Sequence, residues 1–235
     1  MEQDRLWDIA QSDPSLRCSM FSEARYRYVL RFLDRGARVL DIGVGSGDLE
    51  RMALAKGVDI HALDPSEKTI ERLRTSLGLG DKARSGRVEA IPFADGHFDG
   101  IVMSEVLEHL DDRVLAMGLG EVVRALKPGG FLLATTPYRE RLEDSRVICP
   151  GCGLSFHRWG HVQSFDRQRM RDVLRSAGLA VETLRIDTFI DWRRPGIVDF
   201  LKSALRLVLA RLGEPIADPH LIAVARKPGA AARAA

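Results

Sequence analysis

Arg38-Val-Leu-Asp-Ile-Gly-Val-Gly-Ser-Gly47 decides how this chain folds. Arg38 to Ile42 reads as a short buried strand, and a glycine-dense turn follows it into a helix starting near Asp48. Gly43, Gly45 and Gly47 stand at alternate positions, where absent Cβ atoms let the backbone turn tightly and approach a ligand. A strand that ends in such a turn builds a nucleotide crevice at the carboxyl edge of a doubly wound sheet.

Outward from that turn, strand and helix patterns alternate. A helix from Ser22 places Tyr26, Val29, Leu30 and Leu33 on one face and is stopped by Gly36. After the helix Asp48–Lys56, Val58 to Leu63 reads as a second strand ending in Asp64, and Ser66 caps a helix from Glu67 to about Leu77. Arg87 to Ile91 reads as a third strand, Phe98 to Met103 as a fourth and Phe131 to Thr136 as a fifth, with a helix over Val114–Leu126 before it. This alternation implies a parallel sheet with right-handed crossovers. Residues 137–164 form a long polar insertion, expected to be irregular and functional. Asp166 caps a helix to Ala177, and Leu179 to Asp187 is a sixth strand. A second insertion, 188–219, holds a helix from about Ile197 to Leu212, and Leu221 to Ala225 is a last strand, antiparallel to the sixth. Residues 1–21 are expected to be a loose arm and the Gly229–Ala235 tail to fray.

Composition sets the class. With 45% hydrophobic and 29% charged residues in 235, the chain reads as one soluble domain, 1–235, carrying the two insertions. A net charge of +2 without basic–aromatic interleaving argues against a nucleic-acid partner. The start lacks a signal peptide and no apolar run approaches a spanning helix, so a cytoplasmic location is the expectation.

The glycine phase discriminates between nucleotides. A dinucleotide fingerprint would need its last glycine at position 48, where this chain has Asp48. Asp41, inside the strand, would repel a pyrophosphate but suits a ligand with an ammonium and a sulfonium, which points to S-adenosylmethionine (SAM) rather than NAD. Asp64, at a strand end, is placed for a ribose diol; alternatively it caps the next helix.

Val39-Leu-Asp-Ile-Gly-Val-Gly-Ser-Gly47, Asp64, Ile91-Pro-Phe-Ala-Asp-Gly-His-Phe-Asp99, Ser104-Glu-Val-Leu-Glu-His-Leu110 and Leu126-Lys-Pro-Gly-Gly130 together resemble the ordered motifs of class I SAM-dependent methyltransferases. The nearest style is the small-molecule group containing ubiquinone-biosynthesis O-methyltransferases. The resemblance implies an α/β fold: a doubly wound, seven-stranded, mostly parallel Rossmann-like sheet with the last strand antiparallel. It implies that Asp41, Gly43, Gly45 and Gly47 face the cofactor, that Asp64 holds the ribose, and that Ser104 and Glu105 border methionine and acceptor. Where relatives carry an acidic acceptor for adenine this chain has Arg87, so adenine contact is expected from backbone at Arg87 and Val88, or from Glu89.

His109 is the candidate base for a hydroxyl acceptor. If Glu105 begins a helical turn, Glu105, Glu108 and His109 share one face, able to orient His109 or to hold a metal; a surface pair is the plainer alternative. Cys149-x2-Cys152-x4-His157-x3-His161 has the ligand types of a zinc knuckle, most simply a structural one. The alternatives are a dithiol with unrelated histidines, or lid histidines without metal. The helix from Ile197 has a broad apolar face with basic flanks that fits core or lid packing, a homodimer contact or an anionic membrane surface. The expected activity is methyl transfer to a small-molecule, lipid-linked or sugar acceptor, at oxygen. A non-catalytic SAM-binding module with a zinc-stabilised loop is the competing reading.

Overall fold

The computed structural model describes residues 19–190 and 197–229. The N-terminal arm up to residue 18, the tail from residue 230 and part of the second insertion, 191–196, lie outside the described residues.

Helix α1 (Ser19–Val29) leads through a 3-10 turn to β1 (Arg38–Ile42). Then come α2 (Asp48–Lys56), β2 (Asp59–Asp64), α3 (Glu67–Leu77), β3 (Ala83–Ser85), β4 (Phe98–Ser104), α4 (Asp112–Ala125) and β5 (Leu126–Pro137). Beyond them lie a hairpin of β6 (Arg146–Ile148) and β7 (Ser155–His157), then α5 (Arg167–Ser176), β8 (Ala180–Asp187), α6 (Ile197–Leu212) and β9 (His220–Arg226). The main sheet has seven strands in the order β3-β2-β1-β4-β5-β9-β8, with β9 antiparallel to both its neighbours and the pairs from β3 to β5 parallel.

Central strands are apolar on both faces because helices cover both. Leu40, Ile42, Ile101, Met103 and Leu132 pack with Leu115, Leu119 and Val122 of α4 in one core. Val39, Ile60, Val102 and Leu133 pack with Leu49, Ala53, Ile70 and Leu73 of α2 and α3 in the other. Ser66 caps α3 by accepting from the Thr69 N–H, and Gly57 and Gly78 end α2 and α3 in the left-handed region.

Three local expectations are corrected. Arg87–Ile91 is not a strand: β3 is Ala83–Ser85, and Val88–Ala90 is a 3-10 turn. Val88 is drawn down against α4, where a Cβ on Gly118 would lie 2.9 Å from its Cγ2. The turn Lys127–Gly130 falls within β5, whose register against β4 shifts between Phe98↔Leu126 and Gly100↔Phe131 to absorb it. Residues 137–164 are not irregular throughout, since β6 and β7 pair as a separate two-stranded sheet.

On α6, Phe200, Leu201, Leu205, Val208 and Leu212 are exposed, as is Ile216 beyond it, while Ala210 is buried. Core packing therefore accounts for a minority of that apolar face. Among the described residues no helix is long and apolar enough to cross a membrane.

Candidate active site

Because β1, β2, β4 and β5 are parallel and β9 antiparallel, Gly43, Asp64, Glu105, Tyr138 and the start of β9 at His220 gather at one edge of the sheet. A separate cleft of about 350 Å3, lined by Phe32, Asp99, Lys127 and Phe131 among others, lies at the opposite edge, where β4 and β5 begin, away from the glycine turn.

In the glycine turn Gly43, Gly45 and Gly47 have φ of 82°, 52° and 82°, a region that penalises any Cβ. Space is equally limiting at Gly43, where a Cβ would lie 2.7 Å from Val106 Cγ2. The turn after β4 thus leans directly on the glycine turn. Arg72 donates to the carbonyls of Ser46 (2.6 Å) and Gly45 (2.9 Å), and a Cβ on Gly45 would lie 3.8 Å from the Tyr26 hydroxyl of α1.

Asp41 and Asp64 are each 3% exposed. Asp64 Oδ1 accepts from the Ser66 N–H at 2.9 Å, so it holds the helix entrance as well as standing at the strand end. Asp41 faces Glu50 of α2, and burial together with this second carboxylate pushes Asp41 well above the usual carboxylate range. Burial raises Glu50 to about 7. No donor of good geometry reaches Asp41 Oδ1 or either Glu50 oxygen, so a proton shared between the two carboxyls relieves the pair. Sequence reading missed Glu50. Its signal was the helical spacing to buried Ala53, which puts both on one face.

Ser104, Thr135, Glu105 and His220 form a chain at the other side of the edge. Ser104 Oγ and Thr135 Oγ1 are 3.1 Å apart, Thr135 donates to Glu105 Oε1 at 2.7 Å, and Glu105 Oε2 meets His220 Nε2 at 3.2 Å. Burial opposes ionisation of Glu105, but His220 and Arg25 outweigh it and hold the carboxyl down at about 2. Burial disfavours charge on His220 too, yet Glu105 raises it above the ordinary histidine value. Glu105 has φ 59° and does not begin a helical turn; the 3-10 turn is Leu107–His109. The expected shared helical face of Glu105, Glu108 and His109 is therefore replaced by a sharp left-handed bend.

His109 Nδ1 lies 3.3 Å from the Gly160 carbonyl, and burial and neighbouring His161 lower its pKa to about 4. Glu108 is 1% exposed, and burial followed by the Glu105 charge pushes its carboxyl well above the ordinary value. The rings of His109 and His161 are 4.8 Å apart, and His157 stacks on His161 at 4.6 Å.

The structure divides the expected cysteine–histidine tetrad. Cys149 and Cys152 sit at the hairpin tip, where the Cys149 N–H donates to Leu154 O at 2.8 Å and the Gly153 N–H to Cys149 O at 2.9 Å. His157 lies at the other end of the hairpin, opposite Arg146, with Glu140 and His161. Among the described residues the Cys, His, Asp and Glu groups with ligand atoms within 4.8 Å of one another are Glu108–His109–His161 and Glu140–His157–His161, and neither contains a cysteine.

Around the third motif, Arg87 is extended and exposed and Val88 is buried against α4. The Ile91–Asp95 segment is held by Arg124, which donates to the carbonyls of Ile91 (2.8 Å) and Phe93 (2.9 Å) and to Asp95 Oδ1 (2.6 Å). Glu121 accepts from Arg124 and from the Ile91 N–H.

This sheet order, with a glycine turn after β1 and an acidic residue ending β2, defines the class I SAM-dependent methyltransferase fold. The chain belongs to the methyltransferase domain family, whose model matches residues 17–184. It is 36% identical to the ubiquinone biosynthesis O-methyltransferase of Methylocella silvestris over 116 residues, 48% of this chain and 44% of that protein. It is 28% identical to O-methyltransferase resE of Aspergillus sclerotiorum over 190 residues, 78% and 69% of the two chains. An uncharacterised methyltransferase of Mycobacterium tuberculosis is 35% identical over 95 residues; the match spans 40% of this chain and 37% of that protein, well under half its length. In fold, the chain resembles a Haloferax volcanii putative methyltransferase solved with the Trm112 activator: TM-score 0.68, 22% identity, covering 94% and 97% of the two chains. It also resembles the Burkholderia thailandensis 1,6-didemethyltoxoflavin-N1-methyltransferase solved with S-adenosylhomocysteine: TM-score 0.63, 17% identity, covering 97% and 86%.

Proposed function

We propose that the chain transfers the methyl group of SAM to a hydroxyl of a small-molecule, lipid-linked or sugar acceptor. The observation that carries this reading is the placement of His109, a histidine kept neutral by burial, on the turn that touches the glycine turn through Val106. Gly43, Gly45, Gly47 and the Asp41–Glu50 pair support the methionine end of SAM, Asp64 its ribose, and the backbone around Arg87 and Val88 its adenine. Methyl transfer from a sulfonium is an in-line displacement, so alignment supplies much of the rate. The acceptor oxygen loses its proton and forms the bond to carbon, while the carbon–sulfur pair leaves on sulfur. His109 is assigned to the proton and Ser104 to the acceptor edge. Glu105, committed to His220 and Thr135, is assigned to orientation and to the negative field opposite the cationic cofactor. The O-methyltransferases among the relatives favour oxygen over nitrogen as the acceptor atom. A cysteine-containing zinc knuckle is not part of this proposal, because the two cysteines stand apart from the histidines.

The test is a panel of phenolic, sugar and lipid-linked hydroxyl acceptors assayed for S-adenosylhomocysteine production. His109→Ala should lower turnover at least about 100-fold with SAM affinity retained. SAM binding without turnover of any acceptor would instead favour a non-catalytic binding module.

A further inference from the structure

The cluster beneath the inserted hairpin is built differently from an ordinary buried polar group. Glu108 is 1% exposed and no hydrogen bond of good geometry reaches its two oxygens; the buried Thr136 hydroxyl and the residue's own N–H are the donors beside them. A buried carboxylate served this poorly is costly and calls for a proton or a cation. Two imidazoles stand within reach: one ligand-capable atom from each of Glu108, His109 and His161 lies within 4.8 Å of the others.

Outer contacts fix which nitrogen each ring presents. His109 Nδ1 is paired with the Gly160 carbonyl, an acceptor, so a neutral ring donates from Nδ1 and carries its lone pair on Nε2. His161 Nδ1 is bonded to the Glu140 carboxylate, which likewise places that ring's lone pair on Nε2. A histidine whose other nitrogen donates to a carboxylate or a backbone carbonyl is the usual support of a metal ligand. His157 is set the opposite way. Its Nδ1 accepts from the backbone N–H groups of His161 (3.1 Å) and Trp159 (3.3 Å), so its proton sits on Nε2, facing Glu140 Oε1 at 3.3 Å. That orientation makes His157 a support for Glu140 and selects the first cluster over Glu140–His157–His161.

We propose that Glu108, His109 and His161 form a binding site for a divalent transition-metal ion of the zinc class, with Glu140 as the outer carboxylate on His161 and His157 behind it. Two imidazoles and a carboxylate suit zinc and its first-row neighbours better than calcium or magnesium. Three protein ligands leave a four-coordinate ion one position for an oxygen, as at catalytic rather than structural zinc sites. That oxygen is the acceptor's hydroxyl, an assignment that rests on the O-methylation reading and that, with the ion bound, turns His109 from taking the proton to holding the metal that acidifies the hydroxyl, the proton passing to solvent; the metal site itself does not rest on it.

The experiment is calorimetric titration of the chelator-stripped full chain with Zn2+, and with Co2+ followed by visible absorption. Expected is one saturable equivalent, with Co2+ bands lacking the strong charge transfer of thiolate ligation. His161→Ala and Glu108→Gln should abolish it, Glu140→Gln should weaken it roughly 10–100-fold, and the Cys149→Ser/Cys152→Ser double variant should bind as the parent does. SAM affinity, measured on every variant, reports the fold; if His161→Ala fails to fold, Glu140→Gln decides in its place. Absence of a saturable equivalent in the parent overturns the site, as does loss in the cysteine variant with retention in His161→Ala. Zinc binding without any SAM binding would leave the site standing and defeat the functional reading; SAM turnover in protein that takes up no zinc would do the reverse.

Discussion

Glu105 Oε2 lies 3.2 Å from His220 Nε2, joining the bend after β4 to the first residue of the antiparallel strand β9. Both side chains are nearly buried, at 17% and 10% exposure, and Thr135 completes the carboxylate's partners. The pair closes the site edge across β5, which separates β4 from β9 in the sheet.

Its contribution to stability has a defined pH window. Glu105 falls from 4.5 to about 2 on folding, so its share is present above pH 4.5 and lost as pH falls towards 2. His220 is raised above 6.5, so its share is complete below that value and lost as pH rises through the folded pKa. Glu105→Ala should destabilise by about 3 kcal/mol near pH 6, because it strands a buried imidazolium. The penalty should shrink below pH 4 and above the folded pKa of His220. Urea melts across pH check this, and a pH-independent penalty would refute it.

Glu50 behaves in the opposite sense. Its carboxyl rises from 4.5 to about 7 on folding, so the unliganded protein loses stability as pH climbs through that interval. Glu50→Gln should therefore stabilise the unliganded protein at pH 8, by at least about 1 kcal/mol. A bound cationic cofactor favours the ionised Asp41–Glu50 pair, so SAM binding near pH 7 should release protons. Calorimetry in buffers of different ionisation enthalpy reads that release, which Glu50→Gln should remove.

Gly43→Ala meets two penalties together. The left-handed φ of 82° costs roughly 1–2 kcal/mol for a side chain, and Val106 must move away from the new methyl. SAM affinity should fall more than global stability if the displaced turn is the floor of the cofactor site, as proposed above. Parallel thermal melts and SAM titrations separate the two effects.

Arg124→Lys keeps the charge but not the fork that reaches Ile91, Phe93, Asp95 and Glu121 together. The loss should be about 1–3 kcal/mol, with faster amide exchange over residues 91–96. Leu205→Glu, on the exposed face of α6, should by contrast change stability by less than about 0.5 kcal/mol. If that face meets lipid, the same variant abolishes co-sedimentation with anionic vesicles.

Much of the frame is legible in the sequence alone. Helix α2 spans Asp48–Lys56 and α3 begins after Ser66 as read from the sequence, because a side-chain cap such as Ser66 and a glycine such as Gly57 act locally. The third strand was misplaced because a three-residue strand and a single 3-10 turn lack the length to show a period, so Val88 and Ile91 passed for strand residues. Asp64, Ser104 and Glu105 are legible in the sequence as residues at or just past strand ends, and the structure places them so. Glu50, Arg25, His220 and Glu140 are not legible there, since only tertiary packing brings them to Asp41, Glu105 and His161. Sequence spacing groups the histidines of the insertion with the cysteines, whereas hairpin register turns the cysteines to the far end.

The hairpin β6–β7 shares no strand pairing with the main sheet, yet its return limb is fastened to the bend beside the glycine turn. The Val162 N–H donates to Glu108 O at 2.9 Å, the Gln163 N–H to the same carbonyl at 3.3 Å, and the Gln163 amide to the carbonyls of Leu107 and Leu110. Every acceptor in that fastening is main chain. The hairpin's outward residues, Val147, Ile148 and Leu154 among them, can therefore diverge without loosening it. Exchanging the hairpin tip between homologues should leave the bend after β4, and the glycine turn it leans on, in place.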